Sequence, residues 1–397
     1  MTLKINNLFF SSLSFMGIVL GGSQVFNNFA IDSSLKYLSY FILFLCIIVK
    51  LLRNPLTIIF SRLVYFICIS FLFIIGIYLQ DLPLHRIIYL SFSMIIISGL
   101  ATLTVSLFDN VKDLRRVSYY IFYGVLLSTI LGIFYQVPMF TVAVEGVGAT
   151  SLGFNGGMLH KNFYAITILT SYILLFISRK YGVRHNIDSY VLWFEFFLIL
   201  ISNSRTVYLI LIIFYCINNW KLLLRINKKQ RILVFIPAIF ISLIIAIIFF
   251  EYLTNNSDSY TYRVQGIINF FNYYQSDYFH LLFGDAQLAF GGTTQNYTYN
   301  IRSVIGWNGT VEMPLLSIMI KNGFIGLLGY TVVLLSFFKN IKKIKNINIK
   351  TVGLLVIIPL LMSATVENYI VNVNFIFMPI CFCVLNSLKR LEHNLNV

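Results

Sequence analysis

The amino-acid sequence predicts an all-α polytopic membrane protein with about twelve transmembrane helices and one large external loop. Three observations predict it. Of the 397 residues, 58% are hydrophobic and 11% charged, against about 25% charged in ordinary soluble domains. Mean hydropathy is +0.84. Apolar runs of membrane-spanning length recur along the chain, and one polar, aromatic stretch at 251–313 interrupts them.

The spans are read at 9–26, 37–52, 56–79, 87–108, 117–135, 162–178, 188–203, 206–220, 232–250, 314–338, 351–366 and 370–387. No cleavable signal peptide, internal repeat, low-complexity segment or terminal soluble domain is expected. Residues 1–397 therefore read as a single membrane domain that contains the 251–313 loop. An even number of spans puts both termini on one side. Sorting Lys and Arg by face gives 22 on the terminal side, in clusters at 112–116, 179–184, 221–231 and 339–350 among others, and seven on the opposite side. That excess makes the termini cytoplasmic and the 251–313 loop external. The net charge of +15 is thus topology, with some attraction to anionic lipid, and implies no nucleic acid. All five cysteines lie within apolar runs, which disfavours a disulfide framework.

Two external connections are long. The first, 136–161, is glycine-rich and lacks the strand and GK[ST] context of a phosphate loop, so a flexible linker is expected. In the second, Ser257, Asp258 or Ser259 caps a helix, and Val264, Ile267, Ile268 and Phe271 recur at helical spacing. An amphipathic helix over about 260–274 on the outer leaflet follows. Fourteen aromatic residues lie between Tyr252 and Trp307, suited to stacking on sugar rings and equally to an interfacial belt. The three N-x-[ST] triplets, at Asn255, Asn296 and Asn308, read as chance.

Among candidate chemical groups, Arg205 in SNSRT is the sharpest. Sixteen residues separate it from Lys221, ~24 Å of helix against a ~30 Å hydrocarbon core. It therefore sits below the outer surface, where its fork of donors suits a phosphate oxygen pair or an acid such as Glu195 or Glu367. Arg263, at the start of the amphipathic helix, can clamp an anion or snorkel; Arg302 is singled out by location alone. Glu312, where the loop re-enters the membrane, is a candidate general base. Desolvation there raises a carboxyl pKa, and the helix N-terminus at Pro314 opposes the rise. His280 is the competing base. His160 and Lys161 open the sixth span and can reach a phosphate at the surface, and Glu367 marks the outer end of the eleventh. No carboxylate-rich or histidine spacing suggests a metal, and neither metal nor cofactor is expected.

Four features together resemble the Wzy-type polysaccharide polymerases of the O-antigen ligase and polymerase superfamily. They are the twelve spans; GMLHKNFYA at 157–165; SNSRT at 202–206; and Arg263, LLFGDA at 281–286 and VEMPLLSIMIKNGFIG at 311–326 around the large loop. The resemblance implies a GT-C-like fold and metal-independent, inverting glycosyl transfer. Polyprenyl-diphosphate-linked glycans in the bilayer would be donor and acceptor, the product a capsule or exopolysaccharide, and a chain-length regulator a further partner. It also implies that Arg205 and Arg263 hold the diphosphate. Ligases of that superfamily carry a histidine where this chain has Glu312, ahead of Gly323-Phe324-Ile325-Gly326, which favours Glu312 as catalytic counterpart. Substrate contacts would come from His160, Lys161, His280, Arg302 and Glu367. A ligase acting on another acceptor shares this chemistry; a flippase or other transporter would show internal repeats, which are absent here.

Overall fold

A computed structural model describes residues 7–105, 107–144, 150–225, 258–290, 311 and 313–395. The chain is an α-helical membrane protein. Its helices are α1 (Asn7–Leu20), α2 (Gln24–Asn28), α3 (Asp32–Leu51), α4 (Leu56–Leu79), α5 (Leu84–Leu103), α6 (Val111–Phe134), α7 (Lys161–Tyr181), α8 (Asn186–Ser202) and α9 (Arg205–Arg225). After these come α10 (Asp258–Tyr273), α11 (Tyr278–Phe283), a 3₁₀ turn (Ala286–Phe290), α12 (Pro314–Lys343), α13 (Ile347–Val366) and α14 (Phe377–Leu395). Seven of the described helices (α3 to α7, α12 and α13) are long and apolar enough to cross a membrane. Helix α1 and the Arg205–Trp220 part of α9 are apolar but shorter. The expected span at 232–250 lies outside the described residues.

Helix α7 is the axis of the bundle, packing on α6, α8, α9, α13 and α14. Its apolar stretch is 89% buried, whereas that of α4 is 11% buried. In a bilayer the most apolar helix can face lipid, so α4 takes the rim, whereas the less apolar α7 lies inside, where Ser171 hydrogen-bonds to Ser118 of α6. Successive helices run antiparallel, so the connections gather at two ends. One end carries the basic clusters at 112–116, 179–184 and 339–350 and is tied by polar contacts. Lys50 and Arg390 pair with Asp109, the Asn394 amide donates to the Asp109 carbonyl at 2.8 Å, and Glu392 accepts from the Lys345 and Asn346 N–H groups. There α6 starts with Asp113 accepting from the Asn110 N–H at 2.9 Å, which satisfies a donor at the helix start.

The other end departs from expectation in three places. The first apolar run does not continue as helix to 26: α1 stops at Leu20 and residues 22–24 pair with 157–159. The Gln24 N–H donates to the Gly157 carbonyl at 2.9 Å, and the Leu159 N–H to the Gly22 carbonyl at 3.1 Å. The glycine-rich connection is no plain linker. Phe140–Val144 and Thr150–Phe154 form strands β1 and β2 of an antiparallel hairpin, in register from Phe140↔Phe154 to Val144↔Thr150. The last run begins as irregular chain, and α14 starts at Phe377.

The amphipathic helix expected at 260–274 is α10. Its buried face uses Phe270, with Ile267 and Phe271 alongside and Tyr274 just past its end, against Leu316, Met319 and Ile320 of α12, and Ile268 is exposed. Helix α12 is broken at Gly323, whose φ of 59° and ψ of −158° leave the helical region. The chain after α11 fills that break. A Cβ at Gly323 would lie 2.3 Å from the Leu282 carbonyl oxygen, and one at Gly284 (φ 86°) 2.5 Å from that of Ile320. Gln80, at the end of α4, clamps the same segment by donating to the Phe283 carbonyl at 3.1 Å and accepting from the Ala286 N–H.

Candidate functional site

The hairpin end of α7 collects polar groups from four parts of the chain. His160 caps α7: its backbone is extended and its ring Nδ1 accepts from the Asn162 N–H at 3.2 Å. That contact leaves the proton of a neutral ring on Nε2. The Lys161 N–H donates to Thr141 Oγ1 on β1 at 3.2 Å, and the Lys161 side chain is 3% exposed. Asn162 is the hub. Its Nδ2 donates to Glu367 Oε1 at 3.2 Å, and its Oδ1 accepts from Ser204 Oγ at 2.9 Å.

Ser204 belongs to the turn between α8 and α9. Asn203 adopts the left-handed conformation there (φ 50°, ψ 45°), and its Nδ2 donates to the Leu152 carbonyl on β2 at 3.0 Å. Asparagine tolerates this conformation better than most residues. Arg205 follows and opens α9 with an exposed side chain. Strand β2 lies close enough that a Cβ at Gly153 would meet the Ser202 carbonyl at 2.2 Å and the Lys161 stem at 2.6 Å. Glu367, 8% exposed, ends α13 in extended backbone. The next residue, Asn368, donates through Nδ2 to the Val311 carbonyl and to Ser317 Oγ, each at 3.2 Å.

The structure thus brings His160, Lys161, Arg205 and Glu367 to one place. Asn162 and Ser204, which join them, are not singled out by the sequence, although both lie inside the two motifs. The signal was their adjacency to charged residues at predicted helix starts. Glu195, a candidate partner for Arg205, is fully buried in α8 beside Ser171, seven residues or ~10 Å before Ser202.

His280 belongs to a different set of elements, α11 packed on α4 and α12. Asp277 caps α11 by accepting from the Phe279 and His280 N–H groups at 3.1 and 3.2 Å, and its Oδ2 lies 2.6 Å from the His280 ring Nδ1. That side-chain bond holds the Asp277 carboxyl below its ordinary value. The Tyr274 ring stacks on His280 with centroids 4.8 Å apart. Burial, then a hydrogen bond to Asp285, pushes the Tyr274 phenol up. His280 is therefore built into the scaffold of the loop. Arg263 lies on α10, but its side chain, Arg302, Glu312 and the three N-x-[ST] triplets fall outside the described residues.

The hub can be tested directly. Asn162→Asp keeps an acceptor for Ser204 and replaces the donor facing Glu367 by a second carboxylate. Thermal stability in detergent is expected to fall by about 1–3 kcal/mol, and Glu367→Gln, which restores a donor, is expected to recover most of it. Independent, additive losses in the double variant would show that the two side chains do not interact.

Searches with protein-family models and against curated proteins find no match to this chain.

Proposed function

We propose that this chain is a polysaccharide polymerase that joins polyprenyl-diphosphate-linked repeat units by metal-independent, inverting glycosyl transfer. It works at the outer face of a bacterial cytoplasmic membrane, as a twelve-span protein with cytoplasmic termini. The orientation rests on the gathering of basic residues at the end opposite the hairpin. One observation carries the chemical reading. Val311, the neighbour of Glu312 in the chain, is bonded to Asn368, and the adjacent Glu367 is bonded to Asn162. Val311 thus lies beside the cluster that holds His160, Lys161 and the Arg205 turn, and Glu312 follows it in the sequence.

In this reading the acceptor sugar hydroxyl attacks the anomeric carbon of the donor chain. The bond from that carbon to the diphosphate oxygen breaks, and the lipid diphosphate leaves with the electron pair. Glu312 takes the hydroxyl proton. Arg205 and Arg263 stabilise the charge that develops on the diphosphate, and His160, Lys161 and Glu367 contact substrate. Arg302 lies on the same loop. A site at a helix end within a membrane bundle keeps the polyprenyl tail in lipid while the sugars react in water.

Purified protein incubated with lipid-linked repeat units and analysed on gels tests the proposal. A ladder of products is the expected result. A single shifted acceptor would instead indicate a ligase, and absence of any new glycosidic bond a flippase or other transporter. Arg205→Lys keeps the charge and loses the fork, so ladder formation is expected to fall about 10²-fold at unchanged protein level. Full activity in Arg205→Lys would reduce Arg205 to a diffuse charge.

A further inference from the structure

A cavity of about 510 Å³ lies at the basic end of the bundle, across the membrane axis from the cluster just described. Its size is in the range of small-ligand sites. Lys112, Arg115 and Arg116 at the start of α6 form one wall, and His185, ahead of α8, another. One of these charges is already matched. Arg115 makes a two-pronged pair with the buried Asp188, Nε lying 2.9 and 3.0 Å from its two oxygens, and Tyr119 donates to the same carboxylate. Among the described residues neither Lys112 nor Arg116 is paired with an acid, and Arg116 lies over the Phe9 ring, 5.8 Å from its centroid. The cavity therefore presents two cations unmatched among the described residues.

A second, independent observation lies against the same space. Ser178 of α7 lines the cavity, is 1% exposed, and its hydroxyl has no hydrogen-bond partner among the described residues. A buried hydroxyl without a partner is costly, so such a group marks a place where a ligand acceptor completes the site. The rim supplies the class of ligand. Tyr123 and Ile187, also lining residues, are 49% and 64% exposed on the outside of the bundle, where acyl chains run. A soluble anion has no use for that apolar exit.

We infer that this cavity seats the phosphate headgroup of an anionic phospholipid, with Lys112 and Arg116 on the phosphate, the Ser178 hydroxyl donating to it, and the acyl chains leaving past Tyr123 and Ile187. Basic pockets between membrane helices are suited to such headgroups. The site is distinct from the glycan chemistry proposed above and does not depend on it.

Native mass spectrometry of the full chain, titrated with phosphatidylglycerol or phosphatidylcholine, tests the inference. The protein is expected to retain phosphatidylglycerol selectively. Lys112→Gln with Arg116→Gln is expected to weaken that binding about thirtyfold, at roughly fivefold per cation. Lys342→Gln with Lys343→Gln, at the same end but outside the cavity, is expected to bind as wild type. Ser178→Ala, nearly isosteric, is expected to cost about tenfold and keeps the test decisive should the double variant not fold. Equal retention of phosphatidylcholine, unchanged binding in Ser178→Ala, or an equal loss in the Lys342 and Lys343 control would overturn the assignment. Displacement of the lipid by an equal concentration of inorganic phosphate would move the site to a soluble anion and overturn it as well.

Discussion

Gly323→Ala is expected to remove most of the folded protein from the membrane, and to lower the melting temperature of whatever remains. Two independent costs meet at this residue. Its backbone, at φ 59° and ψ −158°, occupies a region open essentially to glycine. Holding alanine there costs of order 1–3 kcal/mol. The new methyl would also stand 2.3 Å from the Leu282 carbonyl oxygen and 2.6 Å from the Gly284 nitrogen, both rigid backbone. Neither can swing away as a side chain does. Relief requires the chain after α11 to leave the break in α12, taking with it the Gln80 clamp and the close packing of the Phe283 carbonyl on Gly76, where an added Cβ would lie 2.4 Å from that oxygen. Gly353→Ala serves as the control, because its φ carries no strain and its methyl would first meet the Ile341 and Leu388 side chains, at 2.8 and 3.0 Å, rather than backbone. Membrane levels by immunoblot and thermal unfolding in detergent measure both variants. Normal accumulation and melting of Gly323→Ala would mean that the break in α12 is not a fixed feature of the fold.

The same break shows where sequence reasoning ends. Long apolar runs declare themselves, because lipid demands length and hydropathy from each helix separately. Helix α10 was readable to within two residues at its start and one at its end, since its apolar spacing is local. Which of its residues are buried was not fully readable. Phe270, and Tyr274 just past the helix end, turn inward because Leu316, Met319 and Ile320 are there to receive them, and Ile268 is left outside. The IKNGFIG segment reads as continuous helix; only the arrival of the Leu282–Gly284 chain makes Gly323 a break. Strands β1 and β2 were hidden for a related reason. A lone two-stranded hairpin is marginal in water, and this one packs on the Ser202 turn and the Lys161 stem. At the candidate site the charged members, His160, Lys161, Arg205 and Glu367, could each be picked out as costly near a membrane. Asn162 and Ser204 could not, because asparagine and serine near helix starts are ordinary capping residues. Their role arises from Glu367, 205 positions away from Asn162.

Glu312→Gln is expected to abolish most polymer formation, by about 10²–10⁴-fold, while donor-lipid binding persists. Glutamine keeps the size and hydrogen-bonding reach of the side chain and cannot take the acceptor proton. Its surroundings in the chain favour a working role. Val311 before it is bonded to Asn368, and Met313 after it precedes Pro314, the first residue of α12. A general base must be held in register with the hydroxyl it serves, which is what the test of Glu312 measures. His280→Gln is expected to behave differently. The histidine lies 2.6 Å from Asp277 and under the Tyr274 ring, so its loss should loosen α11, cost on the order of 1 kcal/mol of stability, and leave turnover within a few-fold of wild type. Turnover of lipid-linked repeat units, with donor-lipid binding and melting measured on the same preparations, separates the two roles. An active Glu312→Gln beside a dead but stably folded His280→Gln would transfer the base to the histidine and detach the chemistry from the Asn162 cluster. Both active would leave Arg205, Arg263 and substrate positioning to carry the rate. Both dead, with folding intact, would mean that Glu312 and His280 act in one shared network.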